Sequence, residues 1–490
     1  MADLQVRIEN PLPASLPVGV GTGLFCYGTC FHRQQAVQDL ALLVDGDRHR
    51  PAAIGMPRRD LFDSLQEAPA YRSGFWATLP IAPRERPGAI ELAAAVRLES
   101  GAELVAPLGR IDVAEHDRPP ALPNGAAGPG LIAICLATFE PDTRLFQAQI
   151  DSLRAQTDDR WICLLSDDCS GPERFEEIRQ IVGADERFVV SRSERRLGFY
   201  RNFERALRMV PDEAELVALC DHDDSWHPEK LEVLRGAIGQ ARLVYSDQRL
   251  VDADGRVLRD TMWKGRRNNH TNLASLLIAN TLTGAAMLFR RNVAELALPF
   301  PDSPGLQFHD HWLGLVALAM GDVAYVDRPL YDYVQHSGAV FGEVTTPGTD
   351  SSAAADRATR RRPVLRGRFS SWRAAYFCGY LAREVQAQTL LVRCASALSG
   401  PKRRALRRFV ASPRSPLAFA WLVARPLRRL AGLDETLGSE TELVGGILWR
   451  WLIPLRVRRS REPRAGAPDA SFPHALDFEQ RRLRRWRGRL

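Results

Sequence analysis

A chain of 490 residues is too long for one typical domain, and a composition of 45% hydrophobic and 26% charged residues excludes disorder as its overall state. The formal net charge of +7 conceals a split: residues 356–490 hold 30 Arg and Lys against 10 Asp and Glu, a net of +20, whereas residues 1–355 hold 36 against 49, a net of −13. A basic end of this kind points to an anionic partner, nucleic acid or an anionic membrane surface. Only Lys230, Lys264 and Lys402 are lysines, so the preference for Arg reads as genome composition, but its concentration at one end does not.

The first residues, MADLQVRIENPLPASL, have no basic n-region and no apolar h-region, so no secretory signal is expected, and no run reaches the roughly 18 apolar residues of a membrane span. Cys135, Cys163 and Cys220 fall inside apolar strand-like runs, which suits buried reduced thiols in a cytoplasmic protein. Cys26 and Cys30 lack a second Cys/His pair and are read as thiols, not metal ligands. Residues 1–118 alternate short runs such as GLFCYGTCF and IELAAAVRL with turns, including the hairpin pair Asp45-Gly46. They predict a β-rich accessory domain, sandwich-like, with a structural or acceptor-positioning role. Residues 119–130 read as a Pro/Gly-rich linker.

From residue 131 the pattern changes. Apolar runs at 131–138, 161–166, 187–193 and 215–220 alternate with helical stretches near 144–156, 172–182 and 199–209. That alternation predicts an α/β domain over 131–345 with a parallel sheet covered on both faces. Residues 346–459 read as helical and basic, and 460–490 as a flexible basic tail. The pieces 416–430 and 442–459 have the look of interfacial helices, with Trp449 and Trp451 beside Arg, which predicts peripheral contact with an anionic membrane on the cytoplasmic face. Nucleic acid is not expected, because the tail lacks a regular aromatic interleaving.

In open α/β sheets ligands bind beyond the carboxyl ends of the strands. The first predicted strand ends at Thr138, the second runs into Asp167-Asp168, and the fourth into Asp221-His222-Asp223-Asp224. Carboxylates crowded at one rim repel unless a cation sits among them, and the scarcity of Cys and His there favours a hard ion, Mg²⁺ or Mn²⁺. Such an ion would bridge a nucleotide diphosphate and neutralise its leaving charge.

The ordered series LIAICLATFEP, LLSDDCS, ALCDHDDSWHPEKLE, VYSDQRLVDADG, NTLTGAAMLFRR, FHDHW and LYDYVQH, spanning about 131–342, resembles family-2 inverting glycosyltransferases of the GT-A fold, with the bacterial rhamnosyltransferase-like branch nearest. The resemblance implies a GT-A, Rossmann-like mixed sheet and transfer from a dTDP- or UDP-sugar, dTDP-L-rhamnose foremost, to a saccharide or lipid-linked saccharide in surface polysaccharide synthesis. It implies nucleotide-sugar contacts at Thr138, Asp167, Asp168, Arg201, Asp221, Asp247 and Gly284. Asp223 and His336 would hold the metal, with Asp224 in support. Val334 stands where the family more often has Arg. Asp310, at the start of an apolar helix whose dipole would hold it ionised, would be the general base, with His309 and His311 near the acceptor. A non-catalytic carbohydrate- or nucleotide-binding scaffold on the same fold is the alternative.

Overall fold

The computed structural model describes residues 3–115, 130–263, 268–335, 365–431, 435–436, 438–459 and 467–487. The linker at 119–129 and His336 lie outside these residues.

The N-terminal strands form two sheets. One has the order β1 (Leu4–Ile8), β3 (Thr22–His32), β7 (Gly74–Ile81), β6 (Ala53–Met56). The other runs β2 (Ser15–Pro17), β9 (Glu103–Ala114), β8 (Gly88–Leu98), β4 (Val37–Val44), β5 (Asp47–His49). Leu24, Cys26 and Cys30 of β3 share a core with Leu40, Leu42 and Ile90 of the second sheet. The alternate residues Phe25 and Tyr27 face the other way, into the main core of the molecule. A two-residue period with both faces covered is why β3 is buried throughout and reads as an unbroken apolar run. All eight cysteines are free thiols, and burial pushes Cys26 and Cys30 up to about 12.

The central domain is built on one mixed sheet. Its strands are β10 (Ile132–Thr138), β11 (Trp161–Asp167), β12 (Phe188–Arg192), β13 (Leu216–Asp221), β14 (Ser225–Trp226), β15 (Leu243–Asp252), β16 (Val257–Arg259), β17 (Met287–Arg290) and β18 (Val323–Gln335). The order is β12-β11-β10-β13-β17-β15-β18-β14, with β16 paired to β15. The first four are parallel; β17 runs antiparallel to β13 and β15. Helices α2 (Thr143–Arg154), α3 (Pro172–Val182) and α4 (Phe199–Arg208) connect the parallel strands. Asp142 starts α2 by accepting from the backbone N–H groups of Arg144 (3.0 Å) and Leu145 (3.1 Å). Further helices are α5 (Lys230–Ile238), α6 (Leu273–Ile278), α7 (Arg291–Ala297) and α8 (His309–Met320); α1 (Arg59–Leu65) belongs to the N-terminal region. Helix α8 buries every residue but Asp310 and Met320, hence its apolar sequence all round.

The basic region folds as helices α9 (Leu365–Ala374), α10 (Ala382–Arg393), α11 (Gly400–Ala411), α12 (Pro416–Ala424), α13 (Ser439–Arg459) and α14 (Phe472–Arg487), with a π-helical segment, Ala375–Leu381, joining α9 to α10. These helices tie the sandwich to the central domain: Thr389 Oγ1 accepts from Gly23 N (2.9 Å), and Arg383 Nε donates to the carbonyl of Ile278 (2.9 Å). Two expectations change here. Trp449 is buried against Trp76, Tyr376 and Phe377 and does not face an interface. Its helix packs closely because a Cβ on Gly446 would meet the backbone N of Tyr376 at 2.7 Å. Nor is the described part of the tail free. Ala470 N donates to the Pro57 carbonyl (2.7 Å), Arg373 pairs with Asp469 (2.6 Å), and the Phe472 ring packs 5.4 Å from that of Tyr27.

Candidate active site

The register of the parallel strands places Thr138 beside Asp167 and Ala137 beside Asp221, so the ends of β10, β11 and β13 share one rim. Thr138 is buried there with its hydroxyl unpartnered, while its carbonyl accepts from Asp168 N (2.9 Å) and Asn202 Nδ2 (3.2 Å).

At the end of β11 both carboxylates are engaged by the protein. Asp167 accepts from the Ser170 hydroxyl (2.5 Å) and backbone N (2.9 Å). Asp168 accepts from Leu197 N (2.6 Å) and Gly198 N (2.8 Å), which fixes the loop that starts α4. These two acids shape the rim.

The end of β13 is different. Burial pushes Asp221 up to about 7, and the charges of Asp223 and Asp310 add to the effect against Lys230. Asp224 is fully buried and raised well above the usual carboxylate range; Oδ1 accepts from Val334 N (3.1 Å), but Oδ2 has no partner. His222 lies half-buried with Nδ1 3.4 Å from the Ala137 carbonyl. Beneath the cluster is a buried cation, Lys230. Its Nζ lies 3.3 Å from the ring centre of Trp226 and 4.8 Å from that of Tyr331, and donates to the Ala285 carbonyl. Burial drives its pKa well down, while Cys220, Asp224 and Asp221 favour its charged form.

The Ala285 carbonyl leads to the second carboxylate. The turn at 280–286 and the first turn of α8 hold Asp310 together: its carboxylate accepts from His311 N (2.6 Å), from Asn280 Nδ2 (3.0 Å) and from the backbone of Gly284. Gly284 is needed for that approach, since a Cβ there would meet His309 Nε2 at 2.6 Å. The expectation that the helix dipole holds Asp310 ionised is corrected: although the side chain is only half-buried, loss of water around it outweighs these donors and raises it to about 7. Lys230, in the helix after the acidic run, donates to the Ala285 carbonyl in the same turn whose Asn280 holds Asp310, which brings Asp310 to the rim of Asp221 despite their separation in sequence.

Other expected residues are placed as follows. Arg201 is engaged by Glu204, the Phe300 carbonyl (3.0 Å) and Asp302, on the side of α4 that meets the 299–302 segment. Asp247 accepts from Gln248 N (2.7 Å), Met262 N (3.1 Å) and the Thr261 hydroxyl, anchoring the chain after β16. His309 stacks on Phe203 with ring centres 3.7 Å apart, and His311 Nε2 lies 2.7 Å from the Leu276 carbonyl; burial lowers both to about 3, so both are neutral packing groups. Sequence reasoning passed over Lys230 and Asn280. A signal for the first was available: a chain that otherwise uses Arg keeps one of its three lysines six positions after Asp224.

A divalent cation fits this donor set in a limited sense. Among the described residues no three His, Cys, Asp or Glu side chains form a cage. A hard ion held by one or two carboxylates needs no cage if a diphosphate and water supply its other ligands. The unpartnered Asp224 oxygen beside Asp221 and Asp223 suits such an ion.

The central domain is a mixed α/β fold of the GT-A kind. More particularly, residues 145–296 match the family described as "Glycosyl transferase family 2". An uncharacterized protein, y4gI, of Sinorhizobium fredii is 30% identical over 122 residues, covering 24% of this chain; the matched stretch spans only 13% of that relative's length. Two solved structures are similar at 14% identity. One is S. aureus TarS 1-349 in complex with UDP-GlcNAc (TM-score 0.38, 67% of this chain and 92% of that one). The other is the mannosyltransferase PcManGT of Pyrobaculum calidifontis with GDP-Man and Mn²⁺ (TM-score 0.36, 69% and 90%). These scores are too low to transfer any residue's role.

Proposed function

We propose that the chain is an inverting glycosyltransferase that moves a sugar from a nucleotide diphosphate sugar to a saccharide hydroxyl. The observation that carries this reading is the convergence of Asp310 on the rim of Asp221, in a domain whose residues 145–296 match family 2. Inversion is a single displacement at the anomeric carbon. The acceptor oxygen attacks, the bond to the diphosphate breaks, and the acceptor proton passes to Asp310. A carboxyl group near 7 suits that task, being part-ionised at neutral pH and basic enough to take the proton. Asn280, Gly284 and the start of α8 hold it in place.

On the donor side, Asp221 would face the ribose and Asp223 the metal, with Asp224 in support. His336, outside the described residues, would complete the metal shell. A bound Mg²⁺ or Mn²⁺ would supply charge neutralisation at the departing diphosphate. Thr138, with its unpartnered hydroxyl, would meet the nucleoside, and the backbone loops set by Asp167 and Asp168 would shape its pocket. The best donor candidate is dTDP-L-rhamnose, with a surface polysaccharide or its lipid-linked precursor as acceptor and cytoplasmic action.

The test is metal-dependent turnover of a donor panel, dTDP-rhamnose, UDP-GlcNAc, UDP-glucose and GDP-mannose, scored by nucleotide diphosphate release with and without Mn²⁺. Release from at least one donor is expected, and its stimulation by an acceptor identifies transfer. No turnover of any donor, alongside tight donor binding, would favour the non-catalytic scaffold.

A further inference from the structure

The helical stretch 416–430, made of α12 and the start of the 3-10 segment Arg425–Ala431 that follows it, is inside out. Among its described side chains every exposed one is apolar, with Leu417 85%, Leu427 63% and Leu430 88% exposed and Val423 46% exposed. Arg425, by contrast, is buried, donating to the Ser275 hydroxyl (2.6 Å) and lying 3.5 Å from Glu440. A helix on the surface of a water-soluble domain turns its apolar stripe inward and its charges outward. Here the Arg425 charge is spent in the interior and the apolar side is left outside. The neighbouring helix α13 continues the patch: Phe419 packs on Trp451 at 4.5 Å, and Leu452 and Leu455 beside it are 39% and 55% exposed. Six of the ten large hydrophobic residues most exposed among the described residues therefore fall on this one helix pair. A contiguous apolar patch of this kind marks an interaction surface.

Charge identifies what covers it. Residues 400–431 contain nine Arg and Lys and no Asp or Glu. Arg404, Arg407, Arg408 and Arg414 are exposed on and just after α11, the helix that leads into the patch. Arg403, Arg407 and Arg414 also line a cleft of about 810 Å³ between α10 and α11, floored by Leu391 and Val410. Leucines that enter the acyl boundary, framed by cations at headgroup height, match an anionic bilayer surface. A second copy of this chain would bring nine like charges against nine.

We infer that α11, the stretch 416–430 and the outer side of α13 form a membrane-docking face that binds anionic lipid bilayers peripherally, with Leu417, Leu427 and Leu430 inserted. Among the described residues no helix is long and apolar enough to cross a membrane, so insertion is confined to the interface. The inference does not depend on the proposed transfer activity. It has a consequence for it, because Arg425 anchors the face to Ser275 of α6, the helix that runs directly into Asn280 and the turn holding Asp310.

The test is co-sedimentation of the full chain with vesicles of phosphatidylcholine alone or mixed about equally with phosphatidylglycerol. Binding to the anionic vesicles is expected, at least about tenfold stronger than to the neutral ones, and weakened by salt. The triple variant Leu417→Glu/Leu427→Glu/Leu430→Glu should lose at least about tenfold in partitioning. Its circular dichroism and melting temperature should stay unchanged, as these side chains are exposed. Leu65→Glu, an exposed leucine elsewhere, should bind as the parent does. Equal binding by the triple variant and the parent overturns the inference. So does absence of vesicle binding, and so does a concentration-dependent dimer that only the triple variant abolishes, which would assign the patch to a second copy.

Discussion

Two strand ends on one rim carry the same kind of residue and treat it in opposite ways. At the end of β11, Asp167 and Asp168 are hydrogen-bonded by Ser170, Leu197 and Gly198, so the protein itself consumes their acceptor capacity. At the end of β13, Asp221 is raised to about 7 and one oxygen of Asp224 has no partner. An acidic strand end is therefore poised for chemistry when its own backbone leaves it unsatisfied, and it is architecture when the backbone does not. The unsatisfied end is the less stable arrangement, one that a ligand or cation would complete.

The strongest way to sharpen that contrast is Asp310→Asn. Transfer should fall by about 10³-fold while donor affinity stays within about twofold, because the amide keeps the shape but cannot take a proton. Surviving transfer would remove Asp310 from the base role. Next, Asp223→Ala should weaken donor binding in Mn²⁺ by about 10²-fold, on the scale of a lost metal ligand. Calorimetric titration showing unchanged affinity would move the metal elsewhere.

The contrast also predicts a pH effect on stability. Asp221 and Asp310 have folded-state values near 7, above the ordinary 3.8, so the folded protein holds protons that the unfolded chain releases. Their stabilising contribution is complete below about pH 4 and is lost as pH rises through about 7. Asp310→Asn should therefore stabilise the metal-free protein at pH 8, by at most about 4 kcal/mol, and leave it unchanged at pH 4. Urea titrations at the two pH values check this; equal shifts would mean the burial of Asp310 costs nothing. The smallest effect belongs to the satisfied end. Asp168→Asn should cost about 1 kcal/mol by weakening two backbone hydrogen bonds, and lower turnover only through a higher donor KM.

The strands and their order of use were readable because each is an apolar run covered on both faces, as in Ile132–Thr138 and Trp161–Asp167. The acidic rim was readable because strand ends are where ligands bind. What could not be read was which carboxylates the backbone had already claimed, since Asp168 meets Leu197 and Asp167 meets Ser170 through loop geometry that composition does not encode. Arg201 looked like a donor contact for the same reason: its partners Phe300 and Asp302 come from a distant segment. Lys230 was hidden by its type, as lysines in helix first turns are usually solvated. Trp beside Arg in the 442–459 helix fits both a membrane belt and a packed seam; Gly445 and Gly446, which let it close on Trp372 and Tyr376, put the Trp449 side in the seam and leave Leu452 and Leu455 outside.

The double-sided strand β3 has a thermodynamic consequence. Phe25 and Tyr27, with Trp76 of β7, are members of the same continuous core as the central sheet and the C-terminal helices. Trp76 is fully buried, its indole N–H donating to the Tyr376 hydroxyl (3.1 Å). The sandwich, although it has a second core of its own, is therefore expected to share the melting transition of the elements it packs on. Heating should unfold sandwich, sheet and helices in one calorimetric transition, and Trp76→Ala should lower that single transition by about 3–5 kcal/mol without splitting it.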